Sequence, residues 1–290
     1  MSRLEEIATF VAIAEAGSIS RAAERLRIAK SAVSRRLSDL EARLGAQLFI
    51  RTTRRVSLTD AGAAFLGRAR RILDDLEEAE AEAGEGHKAL AGNLRIAAPL
   101  TFGLAHLKPV ICSFVRTHPK VSVEVDFSDR RVDLVGEGFD IAVRIGALAD
   151  SSLIARKLCS IRGVAVAAPG FWKKHGRPRH PRDLAGLPLL AYSNVARPSA
   201  LQFWGPGGES GVVEPPVIML ANNGEFLIEI ALGGGAFVVA PTFIAHEQLR
   251  GGALEAVLTD YEWSTSSLHV VYPPTRQPSA RVRAFPDAVI

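Results

Sequence analysis

Residues 30–44, KSAVSRRLSDLEARL, decide the fold of the N-terminal part of this chain. Apolar side chains recur at intervals of four, three and four residues, which places them on one face of a predicted helix: Val33, Leu37, Leu40 and Leu44. Short hydroxyl and guanidinium side chains lie off that face: Ser31, Ser34, Arg35 and Arg36. Arginine can pair with a guanine edge, and serine can bond a base or a phosphate. The pattern therefore indicates either a helix that enters the DNA major groove or an ordinary amphipathic surface helix.

The segment before this helix favours the first interpretation. Residues 17–26, GSISRAAERL, offer Ser18 as an N-cap and a small buried side formed by Ala22, Ala23 and Leu26. The three residues 27–29 then make a short turn. Two helices joined by such a turn are typical of a helix-turn-helix.

The segment after this helix predicts a basic hairpin. Residues 48–59, LFIRTTRRVSLT, form two short β-rich runs around arginines that can reach phosphates or the minor groove. Between residues 28 and 58, seven basic minus two acidic residues give +5, whereas the whole chain carries +4. The positive charge is therefore concentrated where the predicted groove-reading shape lies.

On these residues the chain resembles the LysR-type transcriptional regulators. The matching positions are Leu4, Phe10-Val11, Gly17-Ser18, Ala22-Ala23, Leu26 and residues 31–62, SAVSRRLSDLEARLGAQLFIRTTRRVSLTDAG. Ala29 and Lys30 depart from the hydroxyl residue and glutamine that are usual in the family, and alanine is a poor N-cap. The resemblance implies an α/β fold overall, with an N-terminal winged helix-turn-helix, a long linker helix and a two-lobed α/β effector-binding domain of the type II periplasmic-binding-protein kind.

The resemblance also implies partners and DNA contacts. The expected partners are double-stranded promoter DNA, a small-molecule inducer, further copies of the chain as a dimer or tetramer, and RNA polymerase; no cofactor or metal is expected. The residues expected to contact DNA are Ser18, Ser20, Lys30, Ser31, Ser34, Arg35, Arg36, Arg51, Thr52, Arg54 and Arg55. The winged helix-turn-helix is expected to span residues 1–60.

Residues 61–90 are expected to form the linker helix, which Thr59 would cap. An apolar stripe close to a heptad seam runs along an otherwise charged helix: Phe65, Ala69, Ile72, Leu76, Ala79 and Ala83. A narrow stripe of this kind can pair with a second copy of the helix or can lie on the core of its own domain. The resemblance favours pairing. Three glycines, Gly84, Gly86 and Gly92, are expected to form a hinge.

Residues 91–290 alternate between predicted strands and helices, which indicates a mainly parallel sheet covered on both faces. The resemblance divides this region into a first lobe of about residues 92–162 plus 266–290 and a second lobe of about 163–265. A single amphipathic helix is predicted over residues 100–119, and the terminal helix is expected to fray or to be replaced near Pro286.

Ligands in open α/β sheets bind beyond the carboxyl ends of strands, near helix N-termini. Residues at such strand ends are expected to line an inducer cleft, with Thr101 also capping a helix; the alternative for each is a turn or cap residue. The set is Thr101, Phe102, Ser128, Arg144, Ile145, Gly146, Tyr192, Ser193, Asn222, Asn223, Ala240 and Pro241. Their chemistry suits a small anionic molecule.

Other function classes find less support in the sequence. No GxSxG, HExxH, GxxxxGK[ST] or paired CxxC motif occurs, so neither hydrolase nor nucleotide chemistry is indicated. Residues 1–90 and the acidic N-terminal segment disfavour a secreted solute-binding module and predict a cytoplasmic protein without a membrane span. Cys112 is expected to be a packed core residue, although a redox pair with Cys159 is an alternative.

Overall fold

The computed structural model describes residues 2–51, 56–83, 90–146, 152–263, 266–274 and 279–289. The N-terminal domain contains three helices and a two-stranded antiparallel sheet: α1 (Arg3–Ala16), α2 (Ile19–Leu26), α3 (Lys30–Leu44), β1 (Phe49–Arg51) and β2 (Val56–Leu58). Its core contains most of the predicted apolar faces, because Phe10, Val33, Leu37 and Leu40 are fully buried. Leu44, which was predicted on the same face of α3, is 40% exposed at the end of that helix. Burial of each such side chain stabilises the fold by about 1.5–3 kcal/mol. The helix-turn-helix prediction is confirmed.

The turn between α2 and α3 occupies Arg27–Ala29, as predicted. Arg27 has φ 55°, and its N–H donates to the carbonyl oxygen of Glu24 at 3.2 Å, which ends α2. Ser18 stands at the N-cap position of α2 but makes no side-chain capping bond. Ala29 precedes α3 and cannot cap it, yet the helix still begins at Lys30.

The linker helix α4 (Asp60–Ala83) begins behind Thr59, whose Oγ1 accepts from the Gly62 N–H at 3.0 Å. The cap prediction is therefore confirmed. The predicted stripe divides: Ala69 is buried in the N-terminal core with Phe65 against it, whereas Ile72 is 43% exposed. The first part of the stripe lies on the core of its own domain. In the second part Ile72 and Ala79 are exposed and Leu76 is half-buried, and the side chain of Ala83 lies outside the described residues. Of the predicted hinge, Gly84 and Gly86 lie outside the described residues, and Gly92 lies inside a strand instead.

The first lobe is built on a five-stranded sheet in the order β4-β3-β5-β15-β6. Its strands are β3 (Ala91–Ala98), β4 (Lys120–Phe127), β5 (Ile141–Gly146), β6 (Ile154–Ile161) and β15 (Ser266–Tyr272). Its helices are α5 (Leu100–Phe102), α6 (Lys108–Thr117), α7 (Leu134–Glu137) and α11 (Ala280–Ala288). A π-helical segment, Gly103–Leu107, joins α5 to α6, so the predicted long helix is present but widened where Gly103 packs on the Phe127 ring.

The second lobe has a five-stranded sheet in the order β11-β8-β12-β7-β13. Its strands are β7 (Gly163–Ala167), β8 (Leu189–Tyr192), β11 (Val217–Ala221), β12 (Phe237–Pro241) and β13 (Glu255–Val257). Its helices are α8 (Pro169–His175), α9 (Gly224–Leu232) and α10 (Thr242–Arg250), with a 3-10 turn at Pro181–Gly186. A three-stranded sheet that the sequence did not predict adjoins it: β9 (Leu201–Trp204), β10 (Ser210–Val213) and β14 (Glu262–Trp263).

Both large sheets are mixed, so the prediction of mainly parallel sheets is wrong. In each lobe two strand pairs are parallel and two are antiparallel. A parallel pair needs a crossover connection. The strands β6 and β7 instead carry the chain directly from one lobe to the other around Arg162, and β15 returns it.

Two further expectations are corrected by the structure. Cys112 is exposed on α6, as Cys159 is on β6, so Cys112 is not a packed core residue. The periodicity of α6 assigns its buried face to Phe114 instead. The terminal helix α11 continues through Pro286, which is buried, to Ala288. No helix in the described ranges is long and apolar enough to cross a bilayer.

Candidate functional site

The exposed front of α3 is the candidate nucleic-acid interface. Val33, Leu37 and Leu40 bury one face of this helix completely. On the other side Lys30, Ser31 and Arg35 are exposed, and Ser34 and Arg36 are half-buried. The structure thus brings the five α3 residues that were expected to contact DNA to the first two turns of one helix.

Two basic residues of α3 are engaged by acids of α1. The Arg36 guanidinium lies 3.4 Å from the Glu5 carboxylate, and Arg43 donates to Glu6 at 2.7 and 3.2 Å. The positive charge of this region is therefore partly neutralised within the domain. The sequence-based charge balance did not predict these ion pairs, because it covered only residues 28–58 and so left out the acids of α1.

The remaining residues that were expected to contact DNA lie on two other segments. Ser18 and Ser20 stand at the start of α2, where Ser20 is exposed and Ser18 is half-buried. In the hairpin, Thr52, Arg54 and Arg55 lie outside the described residues, and only the backbone of Arg51 is described, as the end of β1.

A cleft of about 1110 Å³ lies between the two lobes. Nine of the expected cleft residues line it: Thr101, Phe102, Ser128, Arg144, Ile145, Gly146, Tyr192, Ala240 and Pro241. Ser193, Asn222 and Asn223 do not. Asn223 is instead the N-cap of α9 and accepts from the Phe226 N–H at 2.8 Å, which is the alternative that the sequence left open.

Thr101 lies in the first turn of α5 and lines the cleft. Its Oγ1 is buried and has no hydrogen-bond partner among the described residues. Thr101 does not cap α5, because the N-cap position is Pro99 and no side chain caps the helix from there. A buried hydroxyl without a partner costs free energy, so this oxygen is a candidate ligand contact rather than a structural cap.

The N-terminus of α5 already has an acidic neighbour. The Asp129 carboxylate accepts from the Leu100 N–H at 3.2 Å, and burial raises the pKa of Asp129 although this hydrogen bond opposes the rise. Ser128, next to it, accepts from the Arg130 N–H at 3.3 Å. The helix end where an anionic ligand was expected is therefore occupied by the protein's own carboxylate.

Arginines give the cleft its positive charge. Arg144 donates to the carbonyl oxygen of Val132 at 2.7 Å, and burial, then the neighbouring charge of Arg131, lower its pKa. The charged residues that line the cleft are Asp129, Arg130, Arg131, Arg144 and Arg197. Arg130 forms an ion pair with Glu137, and Arg197 forms one with Glu214. The lining of the cleft therefore carries a net positive charge.

The second lobe contributes contacts that the sequence did not predict. The Asn194 side-chain amide donates to the backbone oxygen of Asp129 at 3.0 Å and so joins the lobes across the cleft. Burial raises the pKa of Tyr192, whose hydroxyl also accepts from Asn194 at 3.3 Å. Phe243 meets Phe102 edge to face, with ring centroids 5.6 Å apart. The run of polar residues after β8 was the available signal for Asn194.

The described residues contain no group of three or more His, Cys, Asp or Glu side chains that could hold a metal ion. Two family models match the chain: residues 4–63 match a bacterial regulatory helix-turn-helix of the LysR family, and residues 87–290 match a LysR substrate binding domain.

Similar proteins match over nearly their whole length. The transcriptional regulator PtxR of Pseudomonas aeruginosa is 37% identical over 286 residues, which cover 99% of this chain and 91% of that protein. The structure of CrgA, a LysR-type regulator from Neisseria meningitidis, has 32% identity and a TM-score of 0.58, covering 100% of this chain and 98% of that one. The full-length structure of the Vibrio cholerae virulence activator AphB has 26% identity and a TM-score of 0.62, covering 99% and 98%.

Proposed function

Since the chain belongs to the LysR family of transcriptional regulators, with a helix-turn-helix DNA-binding domain and a substrate-binding domain, we propose that it binds promoter DNA as an oligomer and changes transcription when a small molecule binds between its lobes. The observation that carries this proposal is the exposed front of α3, where Lys30, Ser31 and Arg35 stand opposite a fully buried apolar face. A helix presented in this way can enter the major groove.

Within α3 the residues take different parts. Arg35 is exposed in the second turn, where a guanidinium can pair with a guanine edge. Lys30 and Ser31, at the helix start, suit phosphate oxygens, which approach unpaired amides there. Arg36 mainly holds α1 through Glu5, so its part in DNA binding is secondary. The arginines of the hairpin, Arg51, Arg54 and Arg55, supply charge for the DNA backbone.

In the cleft, the inducer is a small anionic molecule. Four arginines and one aspartate line the cleft, so its lining carries a net positive charge. The amide at the start of α5 is already bonded to Asp129, which favours an anion position on the side of the cleft that Arg144 lines. Thr101 then contacts a polar group of the same molecule with its hydroxyl.

Assembly follows from α4. Ile72 is 43% exposed and Ala79 is exposed on the second part of this helix, so an apolar strip remains open for a second copy. Pairing of two α4 helices places two recognition helices on successive half-sites of the promoter. Two such dimers can associate into a tetramer, and the DNA-bound assembly can contact RNA polymerase. The protein acts in the cytoplasm, where the promoter is.

The test is DNA binding by single-arginine variants, measured by gel shift on the protein's own upstream DNA. Arg35→Ala should lose about 1–3 kcal/mol on the specific site and relax base preference there. Arg54→Ala should weaken all sequences alike and lower the salt slope by about one unit. Arg116→Ala, exposed on α6, is the matched control and should bind as the wild type does. Wild-type specificity in Arg35→Ala would remove α3 as the reading element.

A further inference from the structure

A second concentration of positive charge lies on the second lobe, outside the helix-turn-helix domain. Residues 172–183, WKKHGRPRHPRD, contain five basic residues and one acidic residue; five minus one gives +4, which equals the formal charge of the whole chain. This run leads from the end of α8 into the 3-10 turn at Pro181–Gly186. None of its residues lines the cleft between the lobes, so neither α3 nor the inducer accounts for this charge.

The fold holds the backbone of the run at both ends. At its start the indole N–H of Trp172, which is buried, donates to the carbonyl oxygen of Glu255 at 3.0 Å. Near its end the Asp183 carboxylate accepts from the backbone N–H groups of Arg179 and His180 at 2.9 and 3.0 Å, which fixes the start of the 3-10 turn. The side chains of the run therefore extend from fixed backbone positions.

Four cations of this run are exposed and form no ion pair with a carboxylate among the described residues, and they make up the second-lobe patch: Lys173, Lys174, Arg179 and Arg182. The fifth cation, Arg177, is paired with Glu255. Asp183 is attracted to Arg179, but less than it is stabilised by its two backbone hydrogen bonds, which lower its pKa. A helix C-terminus attracts cations, which accounts for the two lysines at the end of α8 but not for the two arginines after it.

The surface around the patch indicates which kind of partner it fits. No large apolar side chain is exposed between residues 169 and 186, because Phe171, Trp172 and Leu184 are all buried. The centre of a protein–protein interface is usually apolar or aromatic. The DNA backbone, in contrast, is bound through charge by lysine and arginine side chains. An exposed set of cations without an apolar centre therefore fits phosphates better than it fits a protein.

We propose that the second-lobe patch is a second DNA-binding surface, which binds the phosphate backbone of the DNA that flanks the promoter site. Its contacts are to phosphates only, so it adds affinity without adding sequence preference. The inference rests on the proposed function in one respect: α3 binds the promoter and so raises the effective concentration of flanking DNA at the same molecule. Flanking DNA then follows the regulatory domains instead of leaving the complex.

The experiment compares two duplexes of the protein's own upstream DNA, each titrated with the full chain and followed by fluorescence anisotropy. The short duplex covers the site alone, and the long duplex adds about 20–30 bp, or two to three helical turns, on each side. The wild type should bind the long duplex more tightly. A patch that neutralises four phosphates should make the salt slope steeper by about 3.6 units on the long duplex. Between about 50 mM and 200 mM salt the advantage of the long duplex should then fall about a hundredfold.

A fourfold variant removes the charge of the patch: Lys173→Gln, Lys174→Gln, Arg179→Gln and Arg182→Gln. It should bind the short duplex as the wild type does and should lose both the advantage of the long duplex and the extra salt slope. The matched control removes two lysines and two arginines from exposed positions on α6, β6 and α10: Lys108→Gln, Arg116→Gln, Lys157→Gln and Arg250→Gln. This control should keep the advantage and the slope.

Two further variants separate charge from folding. A charge-conserving variant should keep the advantage of the long duplex: Lys173→Arg, Lys174→Arg, Arg179→Lys and Arg182→Lys. If the fourfold variant does not fold, the double variant Arg179→Gln with Arg182→Gln, which leaves α8 unchanged, should lose about half of the extra salt slope.

Three results would overturn the proposal. The wild type could bind both duplexes alike, or the matched control could lose the advantage as well, which would indicate a general charge effect. The advantage could also survive in the fourfold variant, which would leave an acidic protein surface as the partner of the patch. Failure of the proposed function is a separate result, because Arg35→Ala then binds the short duplex as the wild type does, whatever the long duplex adds.

Discussion

Thr101 lines the cleft as expected, although it does not cap α5 as the sequence also indicated. Its Oγ1 is buried and has no hydrogen-bond partner among the described residues. We expect Thr101→Val to leave the free energy of unfolding unchanged or to raise it by up to about 1 kcal/mol, because a buried hydroxyl without a partner destabilises the fold. In a reporter strain the same variant should lose its response to the inducer.

The matched control is Thr101→Ser, which retains the hydroxyl and should retain the response. Chemical denaturation measures the stability of both variants beside the wild type. A clear loss of stability in Thr101→Val alone would mean that the hydroxyl supports the fold, and it would remove Thr101 from the ligand site.

Residue positions at the cleft were predictable from the sequence only in part. Arg144 and Tyr192 were correctly predicted to line the cleft, because they lie at the carboxyl ends of strands and these ends face the cleft. The same rule failed for Asn223, whose side chain is used as a helix cap, and it stopped one residue short of Asn194. Strand ends indicate which loops reach the cleft, but they do not give the direction of each side chain.

Among the elements, α4 is held on the first lobe by a backbone contact between glycines, which no pattern of apolar residues indicates. The Gly67→Ala substitution adds a methyl group that would overlap the backbone of Gly136, so α4 should leave α7. We expect a loss of about 1–3 kcal/mol, which is typical of overpacking, if the helix cannot shift. In hydrogen exchange, peptides that cover residues 134–138 should exchange faster than in the wild type.

The control for this substitution is Gly170→Ala on α8. Nothing lies within 4 Å of a Cβ added there, and its φ is not in the left-handed region, so stability and hydrogen exchange should match the wild type. Wild-type exchange of residues 134–138 in Gly67→Ala would show that the glycine contact does not hold α4 in place.

The existence of α4 was predictable, but its partner was not. Periodicity gave the stripe from Phe65 to Ala83, and the resemblance favoured pairing with a second copy. The face of α4 that contacts α7 carries Gly67 and Arg71, and because neither residue is apolar, the sequence pattern predicts an exposed surface there. Backbone packing between glycines leaves no periodic signal in a sequence.

At the scale of the whole molecule, Asn194 joins the lobes by one hydrogen bond, to the backbone of Asp129. Asn194→Ala should open the cleft, with a net loss of at most about 0.5–1.5 kcal/mol. We expect faster hydrogen exchange in peptides that cover residues 128–131 and 100–102, since the Asp129 carboxylate also holds the Leu100 amide. Asn222→Ala, an exposed amide outside the cleft, is the control and should exchange as the wild type does.

The two-lobed arrangement came from the resemblance, and alternation of strands and helices was consistent with it. The direction of the strands was not predictable in this way. Alternation of strands and helices indicates parallel strand pairs, but it does not show where the chain passes from one lobe to the other and forms antiparallel pairs. The small sheet of β9, β10 and β14 was missed because its strands are only two to four residues long and lie among glycine and proline.

The eleven-residue stretch 128–138 begins at the cleft and ends against α4. Its first four residues line the cleft, Arg144 holds the carbonyl oxygen of Val132, and Asp133 caps α7 before Gly138 meets Gly67. In genetic terms, this stretch is where constitutive alleles should accumulate: a selection for cells that express the target genes without inducer should recover substitutions here that touch neither DNA nor inducer.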